Sequence, residues 1–524
     1  MPKPFYLTTA IDYTNGAPHI GHAYEKVLAD VIARYHRLKG ENVFFLTGVD
    51  QHGQKVQQSA EKAGVAPQQF VDELTAKFIA LWEKLEVKYD GWAATTDPLH
   101  KKCVQGMLQR LYDEKQIYKD KQEGYYSIRQ EQFLTDKERG PDGEFGPEWG
   151  EVEHRSEENY YFRLAQHKDW LLDYLRSHPD CVTPAFRQTE LINAVEKLSG
   201  DLCISRPKSR LSWGIELPFD PDYVNYVWFD ALTNYISFIG YDPSTSSFSL
   251  QPLSFREKWP ALHIIGKDIL IPAHGIYWPI MLHALGFPNE QMPRFLVHGW
   301  WNISGAKMSK SLGNVIDPNE LADKYGPEAL RYYLISDMVI GKDADFSNER
   351  LITRYNTELA NSLGNLLNRS LSMTGKYATG KIRSVCEVGS VADTLKNSVL
   401  GKTEKARTLT FSQTLSEAAF ESVVLANVAI ETAAPWQMAK DDAKRGQLDS
   451  LLYTLAESLR IIAILISPVL PKAAHGIFDQ LSWKMEPELA GKEERFSLAE
   501  ADWGRLPDGH MVGKPTPLFP RIEV

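Results

Sequence analysis

Two short clusters carry side chains suited to holding polyphosphate. The first is His19-Ile20-Gly21-His22. Histidines three residues apart project on one side of a helix. A helix starting there adds outward N–H groups and the positive end of its dipole, both attractive to phosphate. Gly21 removes the side chain that would keep a flat base away from the backbone. The second cluster, Lys307-Met308-Ser309-Lys310-Ser311, lies between Gly305 and Gly313 and so belongs to a loop. Its two lysines are compact point charges bracketing hydroxyls, a clamp for a triphosphate. Either cluster alone is equally well explained as a surface helix start or a solvated loop. Their joint occurrence, each after a strand, is what points to nucleotide chemistry.

The elements that must position them read as a parallel α/β sheet. Residues 5–9 form a β-rich run, 12–16 a turn, and Pro18 stands where a helix can begin. That helix runs to Gly40 with Val27, Ile32 and Tyr35 on its core face, and residues 42–47 (NVFFLT) form the next strand. In such a sheet ligands bind beyond the carboxyl ends of the strands, where segments 12–22 and 48–53 fall. From about 116 to 221 turn-rich pieces such as 138–150 interrupt the pattern, as an insertion would. Strand and helix texture resumes at 228–239, 262–265, 276–285 and 294–298, and beyond 350 the pattern is almost wholly helical (356–373, 411–432, 448–466).

A chain of 524 residues implies two to four domains. Hydrophobic residues at 43% and charged residues at 24% give the balance of a soluble globular protein. The N-terminus has no signal-peptide pattern, and the longest apolar stretch, near 461–470, is broken by Ser467, Pro468 and Pro471. Membrane association is not expected. Cys103, Cys181, Cys203 and Cys386 form no CxxC pair, which argues against a disulfide framework and for a reducing cytoplasm. A net charge of −10 argues against coating nucleic acid, yet leaves room for local basic patches that grip a folded RNA.

With both clusters in this order and setting, the chain resembles the class I aminoacyl-tRNA synthetases, and within them the methionyl-tRNA synthetases from end to end. The matching pieces are TTAIDYTNGAPHIGH (8–22), FLTGVDQHG (45–53), ENYYFRL (158–164), YVWFDALTNY (226–235), IIGKDI (264–269), HGWW (298–301) and SGAKMSKSLGNVIDP (304–318). The resemblance implies attack of a methionine carboxylate on the α-phosphorus of ATP, loss of pyrophosphate, and transfer of the acyl group to tRNA. It implies His19, Gly21, His22, Asp268, Lys307, Ser309 and Lys310 at ATP, with His19, His22, Lys307 and Lys310 catalytic. Mg²⁺ is expected with the ATP.

The same resemblance implies a methionine pocket of Ala10, Ile11, Tyr13, Asp50, Trp228, Ala231, Leu232, Tyr235, Ile269 and His274. A thioether is apolar and polarisable, and aromatic walls grip it well. Tyr and Trp also offer an O–H or N–H to the sulfur, and Asp50 is placed for the substrate ammonium. Between Gly266 and Trp278 the chain reads GKDILIPAHGIYW, one residue longer than the family pattern, and the extra residue precedes His274.

Many relatives carry zinc knuckles in the insertion. Residues 125–164 hold no cysteine and His154 is isolated, so the chain resembles the zinc-free branch and no structural metal is expected. In the helical part, Asn365 and Arg369 share a face opposite Leu363, Leu366 and Leu367, and Trp436 follows Pro435. The resemblance places these three at the anticodon of initiator and elongator tRNA(Met). Residues 324–335 resemble the small connecting segment. The chain ends at LFPRIEV without an appended dimerisation domain, so a monomer is expected. The implied architecture is a Rossmann-type catalytic domain (1–115 and 225–320) split by an insertion (116–224). A connecting segment (321–352) and a helical anticodon-binding domain (353–524) follow. Rival readings are the cysteine enzyme of the same class, a small-molecule nucleotidyltransferase, and a non-catalytic tRNA-binding paralogue. ATP–pyrophosphate exchange across the amino acids separates them.

Overall fold

The structure is a computed structural model, and it describes residues 2–127, 132–134, 136–140, 142–308, 315–384, 390–408, 413–484 and 496–523. Its centre is a seven-stranded sheet whose strand pairings are all parallel. In chain order the strands are β1 (Pro4–Thr9), β2 (Asp12–Tyr13), β3 (Asn42–Asp50), β4 (Gly91–Ala94), β5 (Val182–Thr183), β6 (Ala261–Gly266) and β7 (Arg294–His298). β1 pairs with β3 on one side and β6 on the other, and β6 leads on to β7 and β5. The carboxyl ends of β1, β3, β6 and β7 therefore deliver Ala10, Asp50, Asp268 and His298 to one edge, as an open parallel sheet does.

β3 runs three residues past the expected Thr47. Gly48 does not end it. A Cβ at Gly48 would lie 1.9 Å from the Ala93 carbonyl oxygen, so the glycine is what lets β4 approach. Helix α1 (Ile20–Leu38) packs its core face as expected, with Val27, Ile32 and Tyr35 buried, and ends at Gly40 in the left-handed region that favours glycine. A second helix, α2 (Val227–Ser237), lines the far wall of the site. The insertion is built on a long antiparallel pair, Ile117–Ser127 with Val152–Phe162.

Helix α3 (Pro327–Asp337) buries Leu330, Tyr333 and Leu334 and leads into the helical part: α4 (Asn365–Ala378), α5 (Val391–Thr408), α6 (Gln413–Ala433), α7 (Arg445–Ile466) and α8 (Pro471–Gln480). The apolar stretch near 461–470 is the end of α7, where every residue from Leu448 to Ile466 is buried. Phe411 lies outside the described residues. Two hydrophobic cores flank the sheet. One of them runs without a break from α1 through Leu330 and Tyr333 to Leu367, Leu459 and Phe478 of the helical part. Among the described residues no helix is long and apolar enough to cross a membrane.

Candidate functional site

His19 is the N-cap of α1, and its backbone is extended (φ −136°, ψ 175°). Its Nδ1 accepts the Gly21 N–H at 3.1 Å, while His22 Nδ1 accepts the His19 N–H at 3.1 Å. The two ring centroids lie 3.8 Å apart with the planes tilted by 32°. Reciprocal capping of this kind is usually built from Ser or Thr with Glu. Built from histidines, it fixes their tautomers: each Nδ1 accepts, so each neutral ring carries its proton on Nε2. The expectation of several outward backbone N–H groups needs revision. Gly21 N–H is taken by His19, and Ile20 N–H donates to the Ile316 carbonyl at 3.2 Å. Anion attraction here comes from ring N–H groups and the helix dipole. Gly21 is also required for the cap itself, since a Cβ there would lie 2.9 Å from His19 Cε1.

One cavity of about 560 Å³ joins these histidines to the opposite wall. Ala10, Ile11, Tyr13, His19, Gly21, His22, Asp50, Trp228, Ala231, Leu232, Tyr235, Asp268, Ile269 and His274 all line it. The structure thus brings together every expected pocket residue that it describes. Lys307 ends the strand Ala306–Lys307, and Met308 beside it lines the cavity. Ser309 and Lys310 lie outside the described residues.

His274 reaches the cavity despite the extra residue before it. Residues Leu270–Tyr277 wind as a wide π-type turn kinked at Ile271 (φ −115°, ψ 122°), which absorbs an inserted residue locally. The helix expected at 276–285 is consequently regular only over Trp278–Ala284. His274 Nδ1 lies 3.0 Å from the Ile269 carbonyl oxygen and must donate to it, leaving Nε2 to accept the Tyr235 O–H at 2.7 Å. Burial lowers the imidazole to about 4, so it is neutral near pH 7. The Tyr235 proton expected for a thioether is therefore already engaged. Behind Tyr235, its carbonyl accepts from Tyr6 O–H at 2.7 Å and its ring lies 4.2 Å from the buried His263.

Asp50 is buried at the end of β3, and its carboxylate has only long contacts, 3.4 Å to His52 N and 3.5 Å to Thr95 Oγ1. Burial, with nearby Asp230 adding to it, pushes this carboxyl well above the usual range. Asp230 itself bridges His52 Nδ1 and His100 Nε2, each at 2.7 Å, and His100 Nδ1 meets Ser237 Oγ at 2.8 Å. Burial would raise Asp230, but the two imidazoles outweigh it and hold it at about 2. His52 and His100 come from the first half of the split domain and Asp230 from the second, so this buried chain latches α2 to the end of β3.

A second buried network underlies the α1 side. Lys26, with no exposed surface, donates to Ala10 O at 2.9 Å, Asp12 Oδ1 at 3.0 Å and Glu25 Oε1 at 2.8 Å. Glu25 Oε2 faces His298 Nε2 at 3.1 Å. Burial raises Asp12 to about 7 against the pull of Lys26. Sequence reasoning did not single out Asp12, Glu25, Lys26, His52, His100, Asp230 or His298. Asp12, His52, Asp230 and His298 stand inside quoted motif segments, so a signal existed. For Lys26, in the middle of a helix, and His100, 130 residues from its partner, nothing marked them as buried.

In the helical part, Leu363, Leu366 and Leu367 are buried, while Asn365 between Leu363 and Leu366 is exposed. Arg369 Nη2 donates to Glu431 Oε1 at 2.6 Å. Trp436, 40% exposed, lies in the single turn Pro435–Met438 five residues beyond Glu431.

This site belongs with a well-populated group of proteins. The family described as tRNA synthetases class I (M) matches residues 5–142 and 149–371. The chain is 42% identical to the methionine–tRNA ligase of Caldanaerobacter subterraneus subsp. tengcongensis over 530 residues, covering all of this chain and 80% of that one. It is 41% identical to that of Deinococcus radiodurans, covering 99% and 75%. Among solved structures, Mycobacterium tuberculosis methionyl-tRNA synthetase in complex with methionyl-adenylate superposes with a TM-score of 0.89. It is 37% identical, and 99% of this chain and all of that one are covered. Relatedness at that level over the whole length, with the same fold, makes the chain a member of the methionyl-tRNA synthetases of class I.

Proposed function

We propose that the cavity binds L-methionine against ATP, and that His19, His22 and Asp50 with the aromatic wall carry the chemistry. The activity is methionine–tRNA ligation: methionine and ATP give methionyl-adenylate and pyrophosphate, and the acyl group then passes to tRNA. The observation that carries the residue assignment is the continuity of the site. A carboxyl group, an apolar aromatic pocket and a helix N-terminus with two histidines share one cavity.

Methionine enters with its thioether among Tyr13, Trp228, Tyr235 and His274, and its ammonium on Asp50. Its carboxylate oxygen attacks the α-phosphorus; the bond to the bridging oxygen breaks and pyrophosphate leaves with the electron pair. No group on the protein needs to take a proton from the carboxylate. Positioning and charge stabilisation carry the step. His19 and His22 offer Nε2–H donors to phosphate oxygens, while Lys307 and Lys310, with Ser309, neutralise the leaving pyrophosphate. Asp268 closes the nucleotide side. Mg²⁺ comes with ATP on its phosphates.

Asn365, Arg369 and Trp436 read the anticodon of initiator and elongator tRNA(Met). The exposed indole offers a stacking face and the other two side chains read base edges. No structural zinc is needed in the insertion on this reading, and what supports it is Arg139 lying over the rings of Tyr125 (4.8 Å) and Phe145 (4.3 Å). The enzyme works as a monomer in the cytoplasm, a setting that suits its free thiols Cys103, Cys181 and Cys203. Methionine-dependent ATP–pyrophosphate exchange, run against the other amino acids, tests the reading. Exchange driven better by cysteine or leucine would overturn it.

A further inference from the structure

Lys26 stands one turn of α1 beyond His22, and its ammonium has no exposed surface. An ammonium has three protons to donate, and three acceptors surround this one. They are the Ala10 carbonyl at 2.9 Å, Asp12 Oδ1 at 3.0 Å and Glu25 Oε1 at 2.8 Å. The contacts continue beyond it. Glu25 Oε2 meets His298 Nε2 at 3.1 Å, and His298 Nδ1 meets the Gly299 carbonyl oxygen at 2.8 Å. One row of hydrogen bonds therefore runs from the residue after β1 to the residue after β7. Those strands are not neighbours, because β6 lies between them.

Both ends of the row open on the cavity. Ala10 lines it at one end; His298 and Gly299 line it at the other, beside Gly266 where β6 stops. A Cβ on Gly266 would lie 3.7 Å from His298 Cε1. Stability is a weak reason for such a cluster, since apolar side chains of the same volume commonly serve as well as a buried ion pair. Asp12 Oδ2 is even buried with no donor among the described residues, which costs stability. What the row does supply is geometry. Lys26, Glu25 and His298 are each engaged on both sides, so the ends of β1 and β7 are held at one spacing. In-line attack depends on such spacing, and a displacement of about 1 Å can cost about 10²-fold in rate.

We propose that Lys26 is a positioning residue for methionine activation. Through Ala10 on one side and Glu25 with His298 on the other, it sets the separation between the amino-acid end and the nucleotide end of the cavity. This rests on the placement of methionine and ATP proposed above.

The experiment measures methionine-dependent ATP–pyrophosphate exchange by the full chain, with kcat and both KM values, alongside thermal melts. The first variant combines Lys26→Met with Asp12→Asn, which removes the ammonium without leaving Asp12 charged and unpaired, while Glu25 keeps His298. Its kcat is expected to fall at least tenfold, with methionine KM and ATP KM within threefold of wild type and a cooperative melt retained. An interaction that matters only as the reacting atoms approach shows this split. Glu25→Gln cuts the row on the other side of Lys26 and leaves the ammonium with Asp12 and Ala10. It should show the same pattern, which covers the case of a poorly folding first variant. The proposal fails if kcat falls less than tenfold in the folded variants. It also fails if the loss appears as a raised KM, which would make the row part of one substrate's contact surface, or if activity falls only as far as the folded fraction does. An unchanged methionine KM in Trp228→Ala would instead overturn the placement of methionine, and the spacing role with it.

Discussion

His22 Nδ1 sits 3.1 Å from the backbone nitrogen of His19, so one histidine of the pair caps the other's amide. The consequence is that the two nitrogens of the His22 ring have separable tasks. Asn places an oxygen near the Nδ1 position, and Gln places an N–H near Nε2. His22→Asn should keep the cap, with Tm close to wild type, while ATP–pyrophosphate exchange falls about 10²–10³-fold, the cost of losing an oxyanion-type donor. His22→Gln should retain more exchange but lose about 1 kcal/mol of stability, as a broken cap does. Thermal melts paired with exchange kinetics read both, and equal behaviour of the two variants would refute the division of labour.

Burial and the nearby Asp230 carboxylate push the Asp50 carboxyl well above its ordinary range. A substrate ammonium reverses that preference, so methionine binding releases a proton over the pH range between the ordinary and the raised carboxyl values. Methionine KM should fall as pH rises through the raised value. Calorimetry across that range in buffers of different ionisation enthalpy should count the proton, and Asp50→Asn should abolish it. The same shift has a signed effect on stability. A carboxyl raised in the folded state binds more protons than in the unfolded chain, so it costs stability as pH rises through its folded value. Asp50→Asn should accordingly raise Tm at pH 8 more than at pH 5.

Tyr235 and His274 share one hydrogen bond inside the methionine pocket. Tyr235→Phe leaves a buried imidazole nitrogen without its donor, which costs about 1–3 kcal/mol. His274→Ala removes the acceptor and part of the wall. Each should raise methionine KM roughly tenfold with ATP KM little changed. In a double-mutant cycle the effects should be less than additive, by about 1 kcal/mol. Additive effects would show that the pair acts as two independent contacts.

Trp436→Ala should raise the tRNA KM in aminoacylation about 10- to 100-fold, matching the loss of a stacked base, while exchange stays within twofold. Arg369→Ala should weaken tRNA binding less, because Glu431 already engages that guanidinium. A parallel fall in exchange would mean that Trp436 supports the fold and not the tRNA.

Much of this site was legible because its signals are local. The strand–turn–helix start at 5–38 follows from a β-rich run, a proline and a glycine stop, and the contact residues sit in short motif segments around it. Less legible was what depends on approach between distant segments. Gly48 reads as a strand terminator until the Ala93 carbonyl is seen beneath it. Lys26 looks like the solvent side of a helix, yet it is buried because Asp12, Glu25 and the Ala10 carbonyl converge on it. The extra residue before His274 was visible in the sequence, but its absorption by a wide turn depends on backbone geometry that no residue type announces.

The unbroken core from α1 to Phe478 has a practical side. A boundary drawn at 352 divides labour, not folding. A catalytic fragment ending there would leave Tyr35, whose hydroxyl meets the Ala406 carbonyl, facing water together with Leu330 and Tyr333. Such a fragment should aggregate on expression, whereas the intact chain should melt in a single cooperative transition. Detaching the bundle from the nucleotide site would require rebuilding the back of α1.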